Sequence, residues 1–129
     1  SNEGATCYLN SLLQALFVTE DVRRAVYAFE YDEEIHGAPA ASVPLQLCKL
    51  FTRLQHSSLS SLTTRALTAS FGWSQADSFR QHDVQELCRV LFEALEQGAG
   101  RSKAGNSAPS IGQLFEGRLR STLRCSRCG

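Results

Sequence analysis

Apolar residues recur at helical spacing in three separated stretches of this chain, and no other feature restricts its fold as much. Leu9, Leu12, Leu13, Leu16 and Phe17 follow an i, i+3, i+4, i+7, i+8 pattern, which lays one buried stripe along a helix. Val43, Leu47, Leu50, Phe51 and Leu54 form a second such stripe, with Ser42 as a candidate N-cap, Pro44 near the first helical position and an end near His56. The third and strictest follows His82, through Val84, Leu87, Cys88, Leu91, Phe92 and Leu95. There Asp83 is placed to cap the start and Gly98 to end the helix. Shorter helices are expected over Asp21 to Phe29 and over Thr63 to Ser70. Loops are expected at Tyr31 to Glu34, at Gly37-Ala38-Pro39 and at the serine-rich stretch from Ser57 to Ser61.

Beyond the third stripe the pattern changes. A small, polar stretch, A-G-R-S-K-A-G-N-S-A-P-S, has nothing to bury and reads as a mobile loop. After it Phe115, Gly117, Leu119, Ser121 and Leu123 alternate with Glu116, Arg118, Arg120, Thr122 and Arg124, the period of a half-buried strand. The expected organisation is a mainly α body over residues 1–98, a loop over 99–111, and the start of a sheet over 112–129 that ends in C-S-R-C-G. No internal repeat is visible.

Composition narrows the function classes. Thirteen basic residues balance thirteen acidic ones, so no global field would hold the protein on nucleic acid or on an anionic membrane. No apolar run approaches the roughly 20 residues of a membrane span. The five cysteines are an odd number, scattered at 7, 48, 88, 125 and 128, which suits a reducing compartment rather than a disulfide scaffold. The expectation is a soluble intracellular protein, cytoplasmic or nuclear or both.

Cys7 stands out within N-E-G-A-T-C-Y-L-N because the first stripe starts two residues later. A helix N-terminus gathers unpaired N–H groups and the positive end of the helix dipole, and both favour thiolate over thiol. Acyl transfer also needs donors aimed at an oxyanion. Gly4 lets the backbone turn sharply enough to bring the Asn2 side chain and the Cys7 N–H together. Read from these residues alone, the alternative stays open that Cys7 is a small buried hydrophobe and that Asn2 and Asn10 are caps.

The stretch N-E-G-A-T-C-Y-L-N-S-L-L-Q resembles the cysteine box of the ubiquitin-specific proteases, a family of papain-like cysteine peptidases. A second block, S-F-G-W-S-Q-A-D-S-F-R-Q-H-D-V-Q-E-L-C-R-V-L from Ser70 to Leu91, resembles the segment with which that family reads the ubiquitin tail. Together with S-V-P-L-Q-L from Ser42 to Leu47, its wording is similar to the branch containing herpesvirus-associated ubiquitin-specific protease. The resemblance covers nearly the whole chain. It implies a helical thumb lobe of a papain-like (α+β) peptidase, with the first strand of the fingers at the C-terminus. It makes Cys7 the nucleophile that attacks the carbonyl of ubiquitin's C-terminal glycine, and Asn2 the oxyanion stabiliser. Tyr8, Gln81, Asp83 and Glu86 would line the channel for the ubiquitin tail, where carboxylates suit its basic residues; the plainer roles are a helix cap for Asp83 and a solvated face for Glu86. Ubiquitin and ubiquitinated proteins are the implied partners. Where the family often has glutamine this chain has Glu3, which must point outward if it is not to disfavour the thiolate.

A cysteine peptidase needs an imidazole as general base. His82-Asp83 is a poor candidate, because neighbouring residues point in different directions and the carboxylate cannot orient the adjacent ring. In the resembled family the catalytic histidine lies far downstream, so the chain reads as the N-terminal part of a catalytic domain, expected to be inactive alone. A ubiquitin-binding module without turnover is the alternative. Catalysis of this kind requires no cofactor. Cys125 and Cys128 supply half of a tetrahedral zinc site, and the family often has a zinc ribbon at its fingertips. The resemblance therefore implies a structural zinc in the full-length parent, with two ligands from elsewhere. Cys48 and Cys88 fall on apolar helix faces and read as core.

Overall fold

The computed structural model describes residues 4–57, 63–72, 84–100 and 111–128, with backbone alone at 4–7, 84 and 99–100. Those residues form a mainly helical body. In chain order they give α1 (Gly4–Val18), α2 (Glu20–Tyr27), α3 (Glu33–His36), a 3-10 turn (Pro39–Ala41), α4 (Val43–His56), α5 (Arg65–Ser70), α6 (Val84–Gly100) and α7 (Ile111–Phe115). The three stripes converge on one core. Leu9, Leu13 and Leu16 of α1, Leu47, Leu50 and Phe51 of α4, and Leu87, Leu91 and Leu95 of α6 are all buried, joined by Val22, Val26, Leu67 and Ile111. Phe17 packs edge-on against Phe51, ring centroids 5.3 Å apart, and so ties α1 to α4. Burying a side chain of this size contributes about 1.5–3 kcal/mol. Among the described residues no helix is long and apolar enough to cross a membrane.

Local chemistry sets the boundaries. Thr19 separates α1 from α2 because its backbone turns extended, while its hydroxyl donates back to the Ala15 carbonyl at 2.8 Å. Glu20 and Asp21 then occupy the first turn of α2, where carboxylates favour the positive end of the dipole. Ser42 caps α4 as expected, its hydroxyl oxygen accepting from the Leu45 N–H at 3.4 Å. Gly72 follows α5 with φ +74, a conformation that favours glycine.

α1 begins at Gly4, ahead of the stripe that starts at Leu9, so that Cys7 falls near the helix N-terminus as expected. Three expectations are corrected. The acidic stretch is not all loop: Asp32 caps a single turn by accepting from the Glu34 N–H at 3.0 Å, and Gly37, φ +75, ends it. Gly98 does not end α6, which continues to Gly100. It is buried where the helix passes Pro44, and a Cβ there would stand 2.6 Å from the proline Cγ. Finally, residues 111–115 are helical, with Phe115 stacked on Phe92 of α6 at 4.7 Å. The expected strand is not present: 116–125 have no regular structure, and Leu119 and Leu123 are fully exposed. Alternation makes a segment able to pair, but a strand exists only with a ladder partner, and the described residues provide none. The expected loop over 99–111 falls largely on residues outside those described.

Candidate active site

α1 positions Cys7. Because the helix starts at Gly4, Cys7 sits at the end of its first turn, still within reach of the dipole and of the N-terminal N–H groups. Tyr8, the next residue, is half-buried and packs against the core. From Leu9 onward α1 is anchored by its buried stripe, so the cysteine is carried on the outermost turn of a helix held from behind. Glu86 lies in the first turn of α6, exposed to solvent. Leu87, immediately after it, is fully buried against the same core that receives Leu9 and Leu13. The structure thus packs the helices carrying Cys7 and Glu86 around shared leucines. Asn2, Glu3, Gln81, His82 and Asp83 lie outside the described residues.

Of the two described histidines, His36 is not free to act as a base. His36 donates from Nε2 to the Gly98 carbonyl oxygen at 3.2 Å, which leaves Nδ1 to accept the Asp32 N–H at 2.9 Å. Its ring rests between Phe29 and Tyr31, at 5.0 and 5.9 Å between centroids. It is a clasp between α3 and the C-terminal end of α6, a role its place in an acidic stretch did not disclose. His56 is exposed at the C-terminal end of α4, where a positive charge suits the dipole.

The remaining thiols divide by environment. Burial pushes Cys48 and Cys88 up from the ordinary thiol range, as expected of core cysteines. Cys125 is exposed and held low: the Arg127 N–H, then the Cys128 side chain and its N–H, donate to its sulfur. The turn at residues 126–128 thus brings the two thiols together. Among the described residues, however, no group of three His, Cys, Asp or Glu is placed to hold an ion.

A family model described as ubiquitin carboxyl-terminal hydrolase matches residues 1–129. The chain belongs to the ubiquitin carboxyl-terminal hydrolase family. It is 47% identical over 128 residues to ubiquitin carboxyl-terminal hydrolase 47 of Xenopus laevis and to the human protein of the same name, in each case across 99% of this chain and 9% of the relative. To ubiquitin C-terminal hydrolase 12 of Arabidopsis thaliana it is 48% identical over 124 residues, covering 96% of this chain and 11% of that one. The chain therefore spans about a tenth of the length of the curated relatives it matches. The mainly helical body agrees with the helical lobe of the family's papain-like fold. Cys7 thus lies on the first turn of a helix anchored by its buried stripe, and a helix N-terminus in general favours thiolate over thiol.

Proposed function

We propose that this chain belongs to a deubiquitinating thiol hydrolase that cuts after the C-terminal glycine of ubiquitin, with Cys7 as its nucleophile. The observation that carries the reading is the family match over all of residues 1–129, with Cys7 on the first turn of α1. The Cys7 thiolate attacks the glycine carbonyl, and the Asn2 side chain donates to the oxyanion that forms. Collapse leaves a thioester on Cys7 and expels the amine, which takes a proton from an imidazolium. Water then hydrolyses the thioester. The imidazole comes from outside this chain, since His36 is committed to Asp32 and Gly98 and adjacent Asp83 cannot orient His82. The 129 residues alone are accordingly inactive. Tyr8, Gln81, Asp83 and Glu86 line the tail channel, and the carboxylates face the basic residues of that tail. The reading requires Glu3 to face away from the thiol, since a carboxylate beside it would disfavour the thiolate.

The finer affiliation is to the branch of herpesvirus-associated ubiquitin-specific protease, on the wording of residues 70–91 and 42–47. Partners are ubiquitin and ubiquitinated proteins rather than nucleic acid or membrane, and the location is intracellular, cytoplasmic or nuclear. Catalysis needs no cofactor. Cys125 and Cys128 would hold one side of a structural zinc in the full-length protein, with two further ligands from elsewhere, and that zinc would brace the fingers.

The test uses ubiquitin bearing a thiol-reactive electrophile at its C-terminus, applied to this chain and to a longer form containing the downstream histidine, with Cys7→Ala as control. A covalent adduct on the longer form that disappears with Cys7→Ala is the expected result. Non-covalent ubiquitin binding with no adduct on either form would instead establish a binding module without turnover.

A further inference from the structure

A pocket of about 130 Å³ lies between α4 and α5, bounded by Gln46, Lys49, Leu50, Arg53, Thr63 and Leu67. Leu50 and Leu67 are buried and form an apolar floor. Lys49 and Arg53 stand one turn apart on α4, both exposed at the rim. Two arginines on other helices are paired with acids: Glu20 with Arg24 at 2.6 Å on α2, and Glu93 with Arg89 at 2.8 Å on α6. Lys49 and Arg53 have no such ion pair among the described residues. Neither α4 nor α5 contains an acidic residue, and the sequence has none from Ile35 to Ala76, although thirteen occur in the whole chain. Two like charges at i, i+4 repel. Complementing the helix dipole accounts for Arg53, in the last turn of α4, but not for Lys49, a full turn earlier.

We propose that this pocket docks one acidic side chain, a glutamate with an apolar neighbour, presented by a partner polypeptide. Its volume is well below the about 300–1,000 Å³ of small-molecule sites, so it admits a single side chain rather than a cofactor. The leucine floor takes the methylene stem, and the carboxylate meets the guanidinium and ammonium at the rim. Thr63, whose hydroxyl oxygen already accepts the Arg65 N–H at 3.3 Å, retains its own O–H to donate. This inference is independent of the proposed hydrolase activity.

The experiment titrates the isotope-labelled chain, followed by its amide resonances, with a blocked leucine-glutamate-leucine tripeptide, its glutamine counterpart and inorganic phosphate. The expected result is saturable shifts at Lys49, Arg53 and Thr63 with the glutamate peptide and binding at least tenfold weaker with the glutamine peptide. The same loss is expected for the glutamate peptide in Arg53→Gln, whose unshifted resonances away from the pocket would report an intact fold, and raising the salt should weaken binding. The proposal is overturned if the two peptides bind alike, if the shifts fall elsewhere, or if no saturation is reached. Phosphate binding as tightly as the peptide would overturn it too, by showing a general oxyanion site with no use for the apolar floor.

Discussion

Replacing Gly98 by alanine sets two known effects against each other. Helix propensity alone favours the change by about 1 kcal/mol, since Gly98 lies inside α6. Packing opposes it. The new Cβ would stand 2.6 Å from Pro44 Cγ and 3.2 Å from Phe29 Cε2, and inserting a methyl into a filled contact costs about 1–3 kcal/mol. Pro44 is buried in the first turn of α4, and its ring cannot swing aside as a long side chain would, which puts the cost at about 2 kcal/mol. Gly98→Ala is therefore expected to destabilise the chain by about 1 kcal/mol net. Pro44→Ala removes the offending Cγ and leaves a Cβ at the ordinary distance of 3.5 Å, so in that background the same substitution should be neutral or stabilising. Urea unfolding of the four proteins, followed by far-UV circular dichroism, gives the coupling, expected at about 1–2 kcal/mol in favour of the double variant. Stabilisation by Gly98→Ala alone would refute the packing argument, as would a cost that persists undiminished beside Pro44→Ala.

Phe51→Ala should cost about 3–5 kcal/mol, because Phe51 is fully buried and its partner Phe17 is stranded with it; a loss below about 1 kcal/mol would mean that the site collapses around the gap. The thiols should separate by pH: the reactive form is the thiolate, so alkylation of Cys125, held low by its turn, is expected to set in at lower pH than that of Cys48 and Cys88, both raised by burial. Peptide mapping after a timed exposure to iodoacetamide across a pH series reads this directly, and equal onset for all three would contradict it.

The stripes of α1, α4 and α6 were legible because each repeats an apolar residue over three turns or more, and periodicity survives any detail of how the helices meet. What escaped was either too short to show a period or dependent on a neighbour. α3 is one turn made by the Asp32 cap and closed at Gly37, and four residues carry no stripe. Gly98 has the signature of a helix stop, yet its function is to let Pro44 approach, which only the packing of α4 on α6 reveals. The alternation of residues 115–124 reads as a strand because it satisfies one half of what a strand requires; the other half, a ladder partner, is not encoded locally. Of the candidate site, Cys7 and the block from Ser70 to Leu91 stand out only as motifs, and the composition around them is silent. The pocket at Lys49 and Arg53 left one trace, the acid-free span from Ile35 to Ala76, which has meaning only once α5 is seen to pack beside α4.

Sharing one core has a consequence for the proposed hydrolase. Leu9 and Leu13 behind Cys7, and Leu87 and Leu91 behind Glu86, belong to the same buried cluster, so the nucleophile and the tail-binding face are not independently supported. Leu91→Ala should cost about 2–5 kcal/mol, a large fraction of the about 5–15 kcal/mol that holds a domain together. Since Leu91 is fully buried and does not reach the surface, that loss should act on both faces at once. In the longer, histidine-containing form, adduct yield with the ubiquitin electrophile and affinity for unmodified ubiquitin are expected to fall together and to recover together on cooling toward the temperature of maximum stability. Cys7→Ala should behave differently, abolishing the adduct while leaving affinity in place. If Leu91→Ala removed adduct formation but left ubiquitin binding at its original strength, the two functions would rest on separate supports, and the shared leucine core could not be what joins them.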